Sequence, residues 1–196
     1  GRSLVAQRRA PVPALQPTAG FPGVDPALIA GVSAPLLGGW LPSRQALATM
    51  TPTHVQGERT LWATADGVTF TLFGGGLVVS TRGLGTDLHA SEIGELHRLI
   101  AAGQAGQAAR LQLHLDGAYG ERPLRLTCTV QPEGPETLQI NGRSLRTLRI
   151  IETCTGAGDQ AITNRYWRDE NGPIIRQSVQ WLGPDLGSLY LQRLVE

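Results

Sequence analysis

The chain has 196 residues, of which 41 % are apolar, and a formal net charge of +1 at pH 7. That is enough apolar material for a folded core, and the near-neutral balance excludes a nucleic-acid binder driven by bulk charge. Every cation in the sequence is arginine or histidine, with no lysine; this excludes a phosphate-loop lysine, a Schiff-base lysine and a Ser–Lys nucleophile pair.

Residues 1–35 read as a Pro-rich extended arm. Prolines stand at 11, 13, 17, 22, 26 and 35, a density that forbids a continuous helix or a central strand and leaves room for one helical turn around Pro26–Ala30. Residues 36–196 read as a single β domain. Thr60–Thr64 and Val68–Leu72 are β-rich runs flanking Asp66-Gly67, and Leu77–Thr81 follows a glycine break, so the three form a meander. One short helix interrupts the β pattern. Ser91 can cap it, Glu92 and Glu95 fall in its first turn, Ile93, Leu96, Leu99 and Ile100 recur at helical spacing, and Gly103 stops it.

Alternation then returns in Leu111–Leu115 and Leu124–Val130. It continues in Leu145–Cys154, Gln160–Asp169, Ile174–Leu182 and Leu189–Val195. Asn141-Gly142 and Asn171-Gly172 mark hairpin turns. Roughly eight to ten strands with short links predict an all-β fold, an antiparallel sandwich or a partly open barrel.

Several motifs are weaker than they look. Gly156-Ala157-Gly158-Asp159-Gln160-Ala161 matches a dinucleotide fingerprint, but the next residues, Ile162 to Trp167, are β-like, so a loop is expected and no cofactor. His54, His89, His97 and His114 have no metal-ligand spacing, and no metal site is expected. Asp66, Asp116, Asp169 and Glu170 all fall near turns, so nothing in the pattern pairs two carboxylates for catalysis.

Two constellations carry more. With a two-residue turn at Asn141-Gly142, Ile140 faces Arg143 and Cys128 falls opposite Thr155. One bulge in the irregular Pro132–Pro135 segment brings Cys128 opposite Cys154 as a cross-strand bridge; without it the two remain buried thiols. With a two-residue turn at Asn171-Gly172, Trp167 pairs with Arg176, Arg165 with Ser178 and Thr163 with Gln180. One face then carries Arg165, Trp167, Arg176, Ser178 and Gln180, and the other carries Ile162, Tyr166, Ile175, Val179 and Trp181 as core. The first face is a candidate contact surface for a glycan or a partner, or a solvated face held by cross-strand pairs. A bulge at Pro173 shifts these partners by one.

The run Asn164-Arg165-Tyr166-Trp167-Arg168-Asp169-Glu170-Asn171-Gly172, followed by Ile175-Arg176-Gln177-Ser178-Val179-Gln180-Trp181-Leu182-Gly183, resembles the closing signature of the YjbF/GfcB family, with one extra residue in the turn. Trp62-Ala63-Thr64-Ala65-Asp66 and Leu77–Leu84 resemble an upstream stretch of the same family. The resemblance implies an outer-membrane lipoprotein on the periplasmic side, a non-enzymatic accessory of capsule or exopolysaccharide production and export with a mainly β fold. It implies polysaccharide-secretion machinery or glycan as partner. The membrane contact would be a lipid on a cysteine near the mature N-terminus; no cysteine precedes Cys128 here, so either the anchor is removed from this chain or this member is a soluble periplasmic form, and the Pro-rich arm would be the tether. Two other classes stay open: a glycan-active hydrolase, which needs two carboxylates in a cleft, and a lipid or acyl-chain carrier, which needs a large apolar cavity.

Overall fold

A computed structural model describes Phe21 and residues 26–115, 120–156 and 158–196. Most of the arm and Asp116 lie outside the described residues. A single helical turn, α1 (Pro26–Ile29), precedes β1 (Leu36–Leu41), β2 (Ala46–Gln56), β3 (Arg59–Ala63), β4 (Thr69–Phe73), β5 (Leu77–Arg82) and β6 (Leu88–Glu92). The main helix α2 (Gly94–Ala102) leads into β7 (Gly106–Leu115), β8 (Glu121–Ile140), β9 (Arg143–Gly156), β10 (Gly158–Asp169), β11 (Ile175–Trp181) and β12 (Ser188–Val195).

All twelve strands join one antiparallel sheet in the order β5-β4-β3-β2-β1-β12-β11-β10-β9-β8-β7-β6. Each strand pairs with its neighbours in sequence except at β5 and β6, and β12 returns to pair with β1. The result is an up-and-down barrel interrupted once, between β5 and β6. Side chains bridge that seam at one end. The Leu88 N–H donates to Thr81 Oγ1 at 3.1 Å, and the Arg82 guanidinium donates to the carbonyls of Leu88 and His89 at 3.4 and 3.1 Å. Thr81 in turn donates to the buried Asp87 carboxylate at 2.8 Å.

The all-β class and the single main helix match the sequence reading, but the sheet has three more strands than the nine runs named there. β1 escaped because Leu36-Leu37-Gly38-Gly39-Trp40-Leu41 is buried along its whole length and does not alternate. Its two glycines answer to close approach: a Cβ on Gly38 would sit 3.0 Å from Leu194 Cδ1, and one on Gly39 would sit 2.9 Å from Met50 Cε. β2 carries Pro52 and a register shift beside it. β6 takes up Ser91 and Glu92, so α2 begins later than expected and Ser91 does not cap it. Gly103 ends the helix in the left-handed region, as its position implied. The Asp66-Gly67 turn is wider than two residues, because Thr64 closes it by bonding both the N–H and the carbonyl of Val68.

Two main apolar clusters fill the molecule. One packs α2, through Leu96 and Ile100, against Leu126, Val130, Ile150, Tyr166 and Ile175. The other gathers Leu37, Met50, Trp62, Phe70 and Leu72 with Leu182, Leu186 and Leu189. The long β8–β9 hairpin does something different at its tip. Ile140, with Leu138 and Leu145, packs against Leu36, Leu194 and Ile29, so the tip lies over the outer face of β1 and β12. Asn141 and Gly142 supply the two positive-φ residues of the turn, with φ of 50° and 75°.

The register of that hairpin matches the bulged alternative. Ile140 faces Arg143, the register slips between Pro132 and Gly134, and Cys128 then stands directly opposite Cys154. The two cysteines form a disulfide. Beside it lies a charged cluster with almost no solvent contact. Arg110 Nε and Nη2 donate to the two oxygens of Glu152 at 2.9 and 2.8 Å. Tyr166 Oη and Asn164 Nδ2 donate to the same carboxylate at 2.6 and 3.2 Å, and its other oxygen lies 2.9 Å from Cys154 Sγ. Glu152 is 0 % exposed and Arg110 4 %. Burial alone would lower the Arg110 pKa, and the Glu152 carboxylate reverses this and holds it above the ordinary guanidinium value. Burial, reinforced by the same carboxylate, raises the Tyr166 pKa, so its hydroxyl stays a donor.

Candidate functional site: a polar cleft at the open seam

A polar cleft lies where the barrel is interrupted. His54, Leu61, Thr71 and Ser80 are successive cross-strand partners on β2, β3, β4 and β5. Period-two geometry therefore puts them in one row across four strands, on the face opposite the buried pair Trp62 and Phe70. At ~4.8 Å per strand the row is about 14 Å long. β6 walls its far side with His89, Ala90 and Ser91, while Gln56 and Arg59 stand at the β2–β3 end. The cleft measures about 320 Å³.

Its polar groups are not all engaged. Ser91 is only 7 % exposed, and its hydroxyl has no hydrogen-bond partner among the described residues. His89 Nε2 meets Glu121 at 3.0 Å, while its buried Nδ1 is likewise unpartnered. Arg59 is exposed and lies over the Phe73 ring, 5.1 Å from its centroid. No carboxylate lines the cleft among the described residues. A smaller cavity of about 160 Å³ lies beside the β11–β12 loop, lined in part by Asp87, His114, Arg122 and Asp185. Burial first and Arg122 second lower the His114 pKa there, with Asp185 opposing.

The residues singled out in the sequence lie elsewhere, and the structure corrects the face assigned to them. In the β10–β11 hairpin Arg165 pairs with Val179 and Trp167 with Gln177, one place from the two-residue-turn register. The physical cause is the turn. Pro173 offers no N–H, Asp169 instead binds the Asn171 N–H at 2.9 Å, and Asp169 N reaches the Ile174 carbonyl at 2.7 Å, which leaves Arg176 as the bulged residue. Trp167 is 3 % exposed, packed with Trp40, Val179 and Tyr190 on the outer face of the sheet. The β8–β9 flap covers it, and its indole donates to Glu136.

Arg165 is half-buried and pairs with Glu133 at 3.7 Å. Arg176 is held by Asp169 at 2.9 Å and by Glu196. Burial works against both members of the Asp169–Arg176 pair. The Asn171 N–H and Arg176 nonetheless lower the Asp169 pKa, and Asp169 and Glu196 raise that of Arg176.

Gln180 lies on the opposite face from Trp167, inside the barrel. Its amide oxygen accepts from Val78 N at 2.9 Å, and its nitrogen donates to the Gly76 carbonyl and to Ser178 Oγ, at 2.8 and 2.9 Å. It ties the β4–β5 turn and the start of β5 to the C-terminal end of β11. Gln180→Ala would strand two buried backbone groups, and a urea titration is expected to show a loss of about 1–3 kcal/mol; a change within a few tenths would mean that water replaces the amide. The four residues Arg165, Trp167, Arg176 and Gln180 thus do not share one exposed face. Nothing in the local pattern signalled the cleft, which depends on which strands meet at the seam.

The carboxylates weighed for hydrolysis are also accounted for where described. Asp66 binds Thr64 within its turn, and Asp169 is held by Arg176. Glu170 pairs with the exposed Arg146. Gly156 and Gly158 sit where β9 passes to β10, and a strand rather than a helix comes after them.

An interrupted twelve-strand antiparallel barrel with a polar cleft at its seam is the class of protein these features define. Residues 27–194 match the family described as group 4 capsule polysaccharide lipoprotein gfcB, YjbF, and the chain belongs to that family. Among solved structures it is similar to the hypothetical lipoprotein YmcC from Escherichia coli K12, with a TM-score of 0.75 and 20 % identity, covering 89 % of this chain and 90 % of that one. That likeness establishes the shared fold. Curated proteins give no match.

Proposed function

We propose that this protein is a non-enzymatic accessory of capsule or exopolysaccharide production and export, working on the periplasmic side of the outer membrane. The observation that carries this reading is membership, over residues 27–194, of a family described by capsule polysaccharide and by lipidation. The bonding of Asp66, Asp169 and Glu170 supports a binding role over glycoside hydrolysis, which needs two carboxylates facing one cleft. In this reading the Pro-rich residues 1–35 serve as the tether between a lipid anchor and the barrel. The partners are the secretion machinery and its polymer.

Deleting the gene is expected to remove polymer from the cell surface while its cytoplasmic precursors persist. The purified protein is expected to release no new reducing ends from that polymer. Normal surface polymer in the deletion strain would overturn the accessory role, and polymer cleavage would replace it with an enzyme.

A further inference from the structure

We propose that the seam cleft binds a short stretch of acidic polysaccharide, recognising sugars that carry a carboxylate. The inference deepens the accessory reading and rests on it, since it names the chemistry of the polymer and the place where it lies.

The shape comes first. The row His54–Leu61–Thr71–Ser80 forms a floor crossing four strands, with β6 as its wall. A floor of that length takes a run of sugar rings laid along it rather than a single ring in a pocket. A peptide strand added between β5 and β6 is disfavoured, because Thr81 and Arg82 already clamp the two edges together at one end.

The lining chemistry then selects the polymer. Neutral sugars are commonly held by a phenyl, phenol or indole ring stacked on the sugar face, and no Phe, Tyr or Trp lines this floor among the described residues. What lines it instead is a guanidinium, two imidazoles, a glutamine amide and hydroxyls from Thr71, Ser80 and Ser91, around the small apolar patch of Leu61, Val79 and Ala90. Arg59, steadied over Phe73, offers the paired N–H geometry that suits a carboxylate.

The unpartnered atoms point the same way. A buried hydroxyl without a partner is costly, and Ser91 has one at the wall of an open cleft. If His89 Nε2 donates to Glu121, Nδ1 is left as a bare acceptor suited to a sugar hydroxyl. Glu121 pairs with His89 Nε2 and is not itself among the residues lining the cleft.

The test uses the whole chain and two commercial probes, an oligogalacturonate and a malto-oligosaccharide of equal length, with binding measured by calorimetry and by amide chemical-shift mapping. The acidic probe is expected to bind, to weaken with added salt, and to shift the amides of Ser80 and Ser91; the neutral probe is expected not to bind. Arg59→Gln should weaken binding about tenfold, the scale of one charge-assisted contact. Ser91→Ala should weaken it severalfold yet leave the melting temperature unchanged or higher, since the free protein loses an unsatisfied hydroxyl. A merely structural serine would lower it.

Equal binding of both probes, no binding of the acidic one, shifts mapping outside the cleft, or affinities untouched by both variants would each overturn the proposal. So would crosslinking that places a protein strand of the secretion machinery in the seam. Those results leave the deletion phenotype as it stands, so failure of the cleft assignment is distinct from failure of the accessory role.

Discussion

Glu152→Ala is expected to lower the free energy of unfolding by about 3–5 kcal/mol, the usual loss when one partner of a buried ion pair is removed. The size comes from what the carboxylate holds. Arg110 would keep a positive charge with almost no water to stabilise it, and Tyr166 Oη and Asn164 Nδ2 would lose their shared acceptor. Asn164 also accepts from the Trp181 backbone N–H at 2.7 Å, so its displacement would reach β11.

The comparison that isolates the charge is the double variant Arg110→Met with Glu152→Leu. It removes both charges and is expected to recover much of the loss, because a buried pair contributes little beyond an apolar replacement of similar volume. Urea unfolding followed by tryptophan fluorescence measures all three proteins. A single variant losing less than about 1 kcal/mol would mean that water or another acid reaches Arg110, and the cluster would not anchor the barrel in the way described.

The same cluster shows what local pattern could and could not reveal. Tyr166 reads as core from the alternation of its strand, and it is core. Arg110 and Glu152 carry no such signal, because a charged residue in an alternating strand ordinarily marks the solvent face. Only the barrel, which brings β7, β9 and β10 side by side through β8, turns them toward one another.

The C-terminal signature has the same character. Its length and specificity identify the family, yet its residues are bound up in construction. Asn164 and Tyr166 complete the charged cluster, Trp167 lies under the flap, and Gln180 pins the β4–β5 turn. Period-two geometry separated Arg165 and Trp167 from Tyr166 on β10, but the bulge at Arg176 puts Ser178 and Gln180 on the core face and Val179 on the outer one, and local pattern could not foresee that both faces would be covered. The outer cover comes from the tip of β8–β9, well upstream in the chain. The disulfide was legible for the opposite reason: a single turn and one proline-driven bulge, all local, set the distance between its cysteines.

Breaking that disulfide is the second large expected effect. Closing a loop with a sequence separation of 26 removes enough disorder from the unfolded chain to stabilise the fold by about 3.5 kcal/mol in the chain-entropy account. The double variant Cys128→Ala with Cys154→Ala is therefore expected to unfold at a lower urea midpoint with a nearly unchanged native spectrum. The paired backbone of β8 and β9 remains intact around the site through twelve other partners. Part of the effect should be local as well, because the sulfurs fill space between Leu126, Val130 and Ile162 and one of them touches the Glu152 carboxylate.

That contact separates two causes. If stabilisation comes from the tethered unfolded chain, Cys154→Ser alone and the double alanine variant should lose similar amounts, each having opened the loop. If it comes from how the sulfur seats Glu152, the serine hydroxyl should donate to the carboxylate and recover part of the loss. Reduction without substitution completes the set: a midpoint that does not move between the oxidised and reduced wild-type protein would overturn a stabilising role for the bridge.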